Sequence, residues 1–141
     1  MIKLVVFDLD GVLVDAKEIH YKALNLALES IDKKYVITRD EHLTKYDGLP
    51  TKIKLAELTK QKGLPVELHE QVWAIKQRLT GEVIKNTLTY DERLVNVLKR
   101  LKSDGYKVYV ASNSIRESLK LMLYKTGLME YVDVFLSNDD V

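Results

Sequence analysis

Leu4-Val5-Val6-Phe7-Asp8-Leu9-Asp10-Gly11 is the stretch on which the reading of the chain turns. Ile2 to Phe7 is a short apolar run rich in β-branched residues. That is the pattern of a strand buried on both faces, as in a parallel sheet. Asp8 and Asp10 end the run, and Gly11 permits the chain to bend there. Open α/β sheets place their ligands at the C-terminal ends of the strands, which is where this acidic pair falls. A D-x-D spelling at that point admits three readings. The aspartates cap a turn and face water, or they bind a metal as in a nucleotide-sugar transferase, or they act as nucleophile and acid/base partner with Mg²⁺ beside a phosphate. The third reading explains why a metal is needed. A carboxylate about 4 Å from a phosphate dianion meets roughly 8 kcal/mol of repulsion at an effective dielectric of 20, and a divalent cation offsets it.

Outward from this loop the pattern is helical for about seventy residues. Lys17 to Ile31 carries Ala23, Leu24, Ala27 and Leu28 on one side. Thr38-Arg39-Asp40-Glu41 spells a capping box and predicts a short helix through about Lys45. Tyr46 to Pro50 is a turn. A helix then starts at Pro50-Thr51, with Ile53, Leu55, Ala56 and Leu58 as its apolar positions and Gly63 as its stop. Pro65 opens a fourth helix to about Lys85. After Lys85 the period changes. Asp91 caps a helix with Leu94, Val95, Leu98 and Leu101, and Lys107 to Ala111 reads as a strand. Ser114 and Glu117 spell a second capping box, before a helix that Gly127 ends, and Val132 to Leu136 is a third strand. Strand, helical block, helix, strand, helix, strand predicts an α/β protein. It is a partial Rossmann-like parallel sheet, residues 1–15 and 87–141, with an all-helical insertion over residues 16–86.

Composition excludes several classes. With 22 basic against 21 acidic residues, the net charge of +1 gives no reason to expect nucleic acid as a partner. Zero cysteines removes disulfides, thiolate metal sites and cysteine nucleophiles together. No segment approaches the roughly 20 apolar residues of a membrane span, and the N-terminal run is too short for a signal peptide. A soluble, cytoplasmic protein with no membrane partner is the expectation.

Val5-Val6-Phe7-Asp8-Leu9-Asp10-Gly11-Val12-Leu13-Val14-Asp15 closely resembles the first motif of the haloacid dehalogenase superfamily. The resemblance implies that Asp8 attacks phosphorus and forms an aspartyl-phosphate. It implies that Asp10 protonates the leaving group and then deprotonates water, and that both aspartates contact Mg²⁺. Dehalogenases of the superfamily lack the second aspartate, so Asp10 favours phosphate chemistry. Val108 to Ser114 resembles the second motif, a strand ending in a hydroxyl residue. Ser112 and Asn113 are then the expected phosphate ligands, at a helix N-terminus suited to anions. The helical block lies where the superfamily's type-1 cap resides, and such caps close over small phosphorylated metabolites. His20 falls where the β-phosphoglucomutase-like branch has a histidine near the hinge. Gly48-Leu49-Pro50-Thr51-Lys52 resembles the cap's specificity loop, with Lys52 able to reach phosphate or the substrate's distal part. The arginine typical of that branch is absent. His42 and His69 are expected at the surface, Trp73 in the cap core, and the lysines of the cap helices on solvated faces.

The resemblance also implies parts that do not occur in these 141 residues. A motif-three lysine is expected just past Val141, with Asp139 and Asp140 as its run-up, and an acidic motif four later still. Strand one is therefore expected at an exposed edge, open to self-association or to a complementing chain. Three functions follow as expectations: a phosphohydrolase of small metabolites, a phosphomutase, or a catalytically incomplete fragment with a binding or structural role.

Overall fold

The computed structural model describes residues 3–140. It is an α/β protein with a three-stranded parallel sheet in the order β1-β2-β3, where β1 is Leu4–Asp8, β2 is Lys107–Ala111 and β3 is Val134–Leu136. Asp8 stands opposite Ala111, and Ala111 opposite Leu136, so the C-terminal ends of all three strands lie level. The helices are α1 (Ala16–Ile31), α2 (Arg39–Glu41), α3 (Thr51–Lys62), α4 (His69–Thr87), α5 (Glu92–Ser103) and α6 (Arg116–Thr126). The chain divides into two compact units, residues 1–16 with 84–141, and residues 17–83.

In the first unit the strand and helix signals act as read. Asp91 caps α5 by accepting from Leu94 N–H at 3.1 Å. Gly127 ends α6 with φ +81°. A Cβ at Gly127 would stand 2.5 Å from the Tyr90 ring, so the position excludes side chains on two grounds. Three expectations change. β1 is not buried on both faces. Leu4 and Val6 are 43% and 58% exposed, because among the described residues β1 pairs only with β2. Among the described residues it is an edge strand, as expected, and Ile2 lies outside them. β3 starts at Val134 rather than Val132, because Val132 N–H is bonded to the Met129 carbonyl in a turn. Ser114 and Glu117 form no capping box: Ile115 is the N-cap of α6 and carries no side-chain cap. Asp139 Oδ2 instead accepts the Arg116 N–H at 2.8 Å, so the helix start is capped from the far end of the sequence.

The second unit packs around Leu24, Leu28, Ile37, Tyr46, Leu55, Leu58, Leu64 and Val72. The Thr38–Glu41 capping box is formed in both directions. The α-helical turn it starts covers only Arg39–Glu41. His42–Tyr46 widens into a π turn, closed by Asp47 N–H on the His42 carbonyl at 2.7 Å. Gly63 ends α3 in the left-handed region. The helix expected at Pro65 begins as a 3₁₀ turn, Val66–Leu68, before α4. α3 is also rotated relative to its reading. Ile53 and Ala56 face solvent, and Lys54 takes the buried place beside Leu55 and Leu58. Lys54 and Lys76 are 4% and 2% exposed, so these two lysines do not lie on solvated faces. His42 is likewise buried, not at the surface, with its ring 5.0 Å from that of Tyr21. His69 is half-buried against Thr59 Oγ1, and Trp73 packs at the edge of the core as expected.

Candidate active site

The loop after β1 is built by its own backbone. Leu9 N–H bonds the Ala111 carbonyl at 2.9 Å and carries the ladder one residue past the strand. The Leu9 carbonyl then accepts from the N–H groups of Val12, Leu13 and Val14, and Gly11 N–H bonds Val14 O at 2.8 Å. Gly11 sits at φ +79°, the conformation that lets the loop close in so few residues. Leu9 is fully buried beneath it and pins the loop to the core. The carboxylates on either side are therefore fixed at the mouth of the sheet.

Asp8 is exposed, and its Oδ1 accepts the Asp10 N–H at 3.1 Å. Asp10 is half-buried, and its Oδ2 accepts two bonds, from Ser112 Oγ at 3.0 Å and from Asn113 N–H at 3.1 Å. The level strand ends account for this meeting: residues 10 and 112 are 102 positions apart in sequence and adjacent in space. Ser112 Oγ also accepts the Ser114 N–H at 3.0 Å, which sets the direction of the hydroxyl proton toward Asp10. All four residues expected in the core site, Asp8, Asp10, Ser112 and Asn113, thus gather at one end of the sheet.

The end of β3 completes the rim. Asp140 Oδ2 accepts from Ser137 N–H at 2.7 Å and from its hydroxyl at 3.0 Å, and lies 3.5 Å from Arg116. The Ser137 bonds, with help from Arg116, hold the Asp140 carboxyl below the usual carboxylate range. Asp139 and Asp140 therefore serve here to fasten the chain after β3 to the start of α6. Among the described residues no three His, Asp or Glu side chains gather closely enough to hold a metal ion.

The other expected site residues lie in the helical unit. Gly48, at φ +78°, makes the turn before α3; Thr51 is the first residue of that helix, and Lys52 points to solvent. Lys52 lines an open groove of about 480 Å³ with Leu55, His69, Glu70 and Trp73. His20 is met by a residue that periodicity did not single out: Lys76 Nζ lies 2.9 Å from His20 Nδ1. Burial, reinforced by Lys54, pushes Lys76 down to about 7. Burial and the two lysines hold His20 well below the ordinary histidine value. The only sequence signal for Lys76 was its place between Trp73 and Leu79 on the apolar side of α4.

A family model described as haloacid dehalogenase-like hydrolase matches residues 5–141. The chain belongs to the haloacid dehalogenase-like hydrolase family. This family member is 30% identical over 139 residues to a phosphoglycolate phosphatase of Aquifex aeolicus, covering 97% of the chain and 61% of the relative. It is 27% identical over 143 residues to a phosphorylated carbohydrates phosphatase of Thermotoga maritima, covering 97% and 62% respectively. The chain thus spans about three fifths of the length of the curated relatives it matches. CbbY of Rhodobacter sphaeroides, solved in complex with xylulose-(1,5)bisphosphate, shares the fold at a TM-score of 0.86 and 20% identity, over 100% of this chain and 65% of that one. For this haloacid dehalogenase-like chain the motif resemblance of residues 5–15 and 108–114 extends to the whole fold. No helix of the described residues is long and apolar enough to cross a membrane.

Proposed function

We propose that the protein hydrolyses the phosphate ester of a small metabolite, with Asp8 as nucleophile and Asp10 as acid/base. The observation that carries the reading is the fixing of Asp10 Oδ2 by Ser112 Oγ and Asn113 N–H, beside an Asp8 carboxylate that faces solvent. One carboxylate is positioned for proton transfer and the other is open to an incoming phosphorus atom. Asp8 attacks phosphorus as the ester P–O bond breaks, and Asp10 gives the leaving oxygen its proton. Asp10 then takes a proton from water, the water oxygen bonds to phosphorus, and the Asp8–phosphorus bond breaks to release phosphate. The phosphatase relatives from Aquifex and Thermotoga support this substrate class.

Asp8 and Asp10 offer oxygen donors, and the chain has no cysteine to add a thiolate. That set suits a hard divalent cation such as Mg²⁺, which is commonly bound through one or two carboxylates and keeps several waters. When bound, Mg²⁺ would offset the repulsion between the Asp8 carboxylate and the phosphate. Ser112 Oγ and Asn113 N–H are also the groups nearest to hand for a phosphate oxygen. Their present bonds to Asp10 are ones an incoming phosphate must share or replace.

The test is phosphate release from a panel of phosphate esters in the presence of Mg²⁺, with mass analysis of the Asp8 peptide after an acid quench. The expected result is a phosphoryl group on Asp8, and a loss of turnover on the order of a thousandfold or more in Asp8→Asn. Equal turnover by wild type and Asp8→Asn would refute the assignment.

A further inference from the structure

The turn that carries Ser112 and Asn113 is held by residues from beyond β3. The chain leaves β2 toward α6 through residues 112–115, and it leaves β3 through residues 137–140. The two segments stay bonded after both strands have ended. Ser112 N–H bonds the Leu136 carbonyl at 2.9 Å, Asn138 N–H bonds the Ser114 carbonyl at 2.9 Å, and Arg116 N–H bonds Asp139 Oδ2 at 2.8 Å. Residues 112, 114 and 116 are thus each fastened to residues 136–139. At the third of them the Asp139 carboxylate stands where a backbone carbonyl would stand in a continuing ladder. The Arg116 side chain meets the same segment, with its guanidinium 4.5 Å from the centre of the Phe135 ring and 3.5 Å from Asp140 Oδ2.

Asp139 is itself fixed. Its N–H bonds Ser137 Oγ at 3.2 Å, and the buried Ser137 gives both its N–H and its hydroxyl to Asp140. A short carboxylate on a turn closed in this way loses little freedom when it caps a helix. The cap is needed because Ile115, at the N-cap position of α6, has no side-chain acceptor to offer. An uncapped helix start leaves its first N–H groups without partners and frays. Fraying at Arg116 passes directly to Ser114 and Asn113, and Ser112 Oγ and Asn113 N–H are the two donors to Asp10 Oδ2, at 3.0 and 3.1 Å. We propose that Asp139 is a positioning residue for Asp10, a role that rests on the reading of Asp10 as the acid/base group. By capping α6 it keeps Ser112 Oγ and Asn113 N–H on the Asp10 carboxylate, and so fixes the place from which the leaving oxygen receives its proton.

Such a role leaves a kinetic mark that a purely structural cap does not. Proton delivery matters where the leaving oxygen needs a proton, as in an alkyl phosphate, and little where it departs as a stable anion, as in nitrophenyl phosphate. A residue that only stabilises the fold affects both esters alike. A residue that aims Asp10 affects the alkyl ester more. The bond from Arg116 N–H needs an acceptor rather than a charge, so asparagine at position 139 preserves it.

The experiment measures kcat/KM of the full chain with Mg²⁺ on glycerol phosphate and on nitrophenyl phosphate, for wild type, Asp139→Ala, Asp139→Asn, Asp91→Ala and Asp10→Asn. Asp91 caps α5 through Leu94 N–H, so its variant loses a cap away from the turn. Asp139→Ala is expected to lower kcat/KM on glycerol phosphate by about tenfold to a hundredfold, the scale of a misplaced catalytic group, and on nitrophenyl phosphate far less. Asp139→Asn keeps the wild-type values. Asp91→Ala lowers the melting temperature without separating the two esters, and Asp10→Asn separates them more strongly than Asp139→Ala. Amide exchange followed by NMR needs no turnover: in Asp139→Ala the Asn113 and Ser114 amides exchange faster by about tenfold or more relative to those of α5. Equal losses on the two esters in Asp139→Ala, where Asp10→Asn separates them, overturn the positioning role and leave the hydrolysis reading standing. Unchanged exchange at Asn113 and Ser114 overturns it too. Equal losses in Asp10→Asn refute the acid/base reading, and the role of Asp139 falls with it. In a chain that turns over neither ester, the exchange at Asn113 and Ser114 decides alone.

Discussion

Replacing Lys76 by methionine should stabilise the chain at neutral pH and leave it unchanged or slightly weaker at high pH. The folded state lowers Lys76 from its ordinary 10.5 to about 7, first by burial and then by the charge of Lys54. At about 1.4 kcal/mol per pH unit, that difference corresponds to about 5 kcal/mol. The sign is that of a base depressed by folding. Between pH 7 and 10.5 the unfolded chain binds a proton that the folded chain has released, so stability rises with pH across this window. Below pH 7 the whole cost is present. Lys76 alone then makes the wild type about 3.5 kcal/mol more stable at pH 10 than at pH 7. Methionine has a similar unbranched shape and no charge to desolvate. It loses the bond to His20 Nδ1, a loss of about 1 kcal/mol. The net gain at pH 7 is therefore about 3 kcal/mol, shrinking to nothing or a small loss by pH 10. Urea unfolding of both proteins at pH 6, 7, 8.5 and 10 measures the difference, in which contributions from other titrating groups cancel. A variant less stable than wild type at pH 7, or a difference that does not change between pH 7 and 10, would show that Lys76 is not held near neutrality by its surroundings.

The depressed His20 and His42 act on the acid side: both are lowered by burial and by nearby cations, so stability is lost as pH falls through about 6.5, where the unfolded histidines protonate. His20→Gln should remove part of that loss in melts between pH 7 and 5; an unchanged slope would exonerate His20. Ser112→Ala removes the hydroxyl bond to Asp10 Oδ2 and should lower turnover by about tenfold to a hundredfold with the fold intact, as a bond to a charged group is worth roughly 1.5–3 kcal/mol. Gly127→Ala forces φ +81° on a residue with a Cβ and drives that atom into the Tyr90 ring. A loss of about 1–2 kcal/mol is expected from the backbone alone, and the companion Tyr90→Ala should relieve only the steric part, as chemical denaturation of the three proteins would show.

The fold was legible where a local signal and the tertiary answer agree. The β-branched run before Asp8, the caps at Thr38 and Asp91, and the stops at Gly63 and Gly127 each have a cause within a few residues, and each is formed. Legibility failed where the partner is remote. Nothing near Ser114 shows that Asp139, 23 residues beyond Arg116, will cap α6. Nothing near Val6 shows which side of β1 goes without a neighbour. The catalytic loop was readable for a different reason: Asp8, Asp10 and Gly11 form a short spelling, and parallel strands of matched length carry it level with Ser112.

The buried lysines were illegible because periodicity counts lysine as polar and assigns it to water. On α3 the count gave Ile53 and Ala56 to the core, and the fold chose Lys54 with Leu55 and Leu58. A lysine stem is apolar over four carbons and can fill an aliphatic position, so packing alone does not forbid the exchange. What resists it is the ammonium group. The structure meets that resistance by crowding: burial and a second lysine lower Lys76 until its proton is half lost near neutral pH, and the neutral amine then shares a bond with His20. Such an arrangement is less stable than an apolar pair would be, which makes stability a poor reason for its presence.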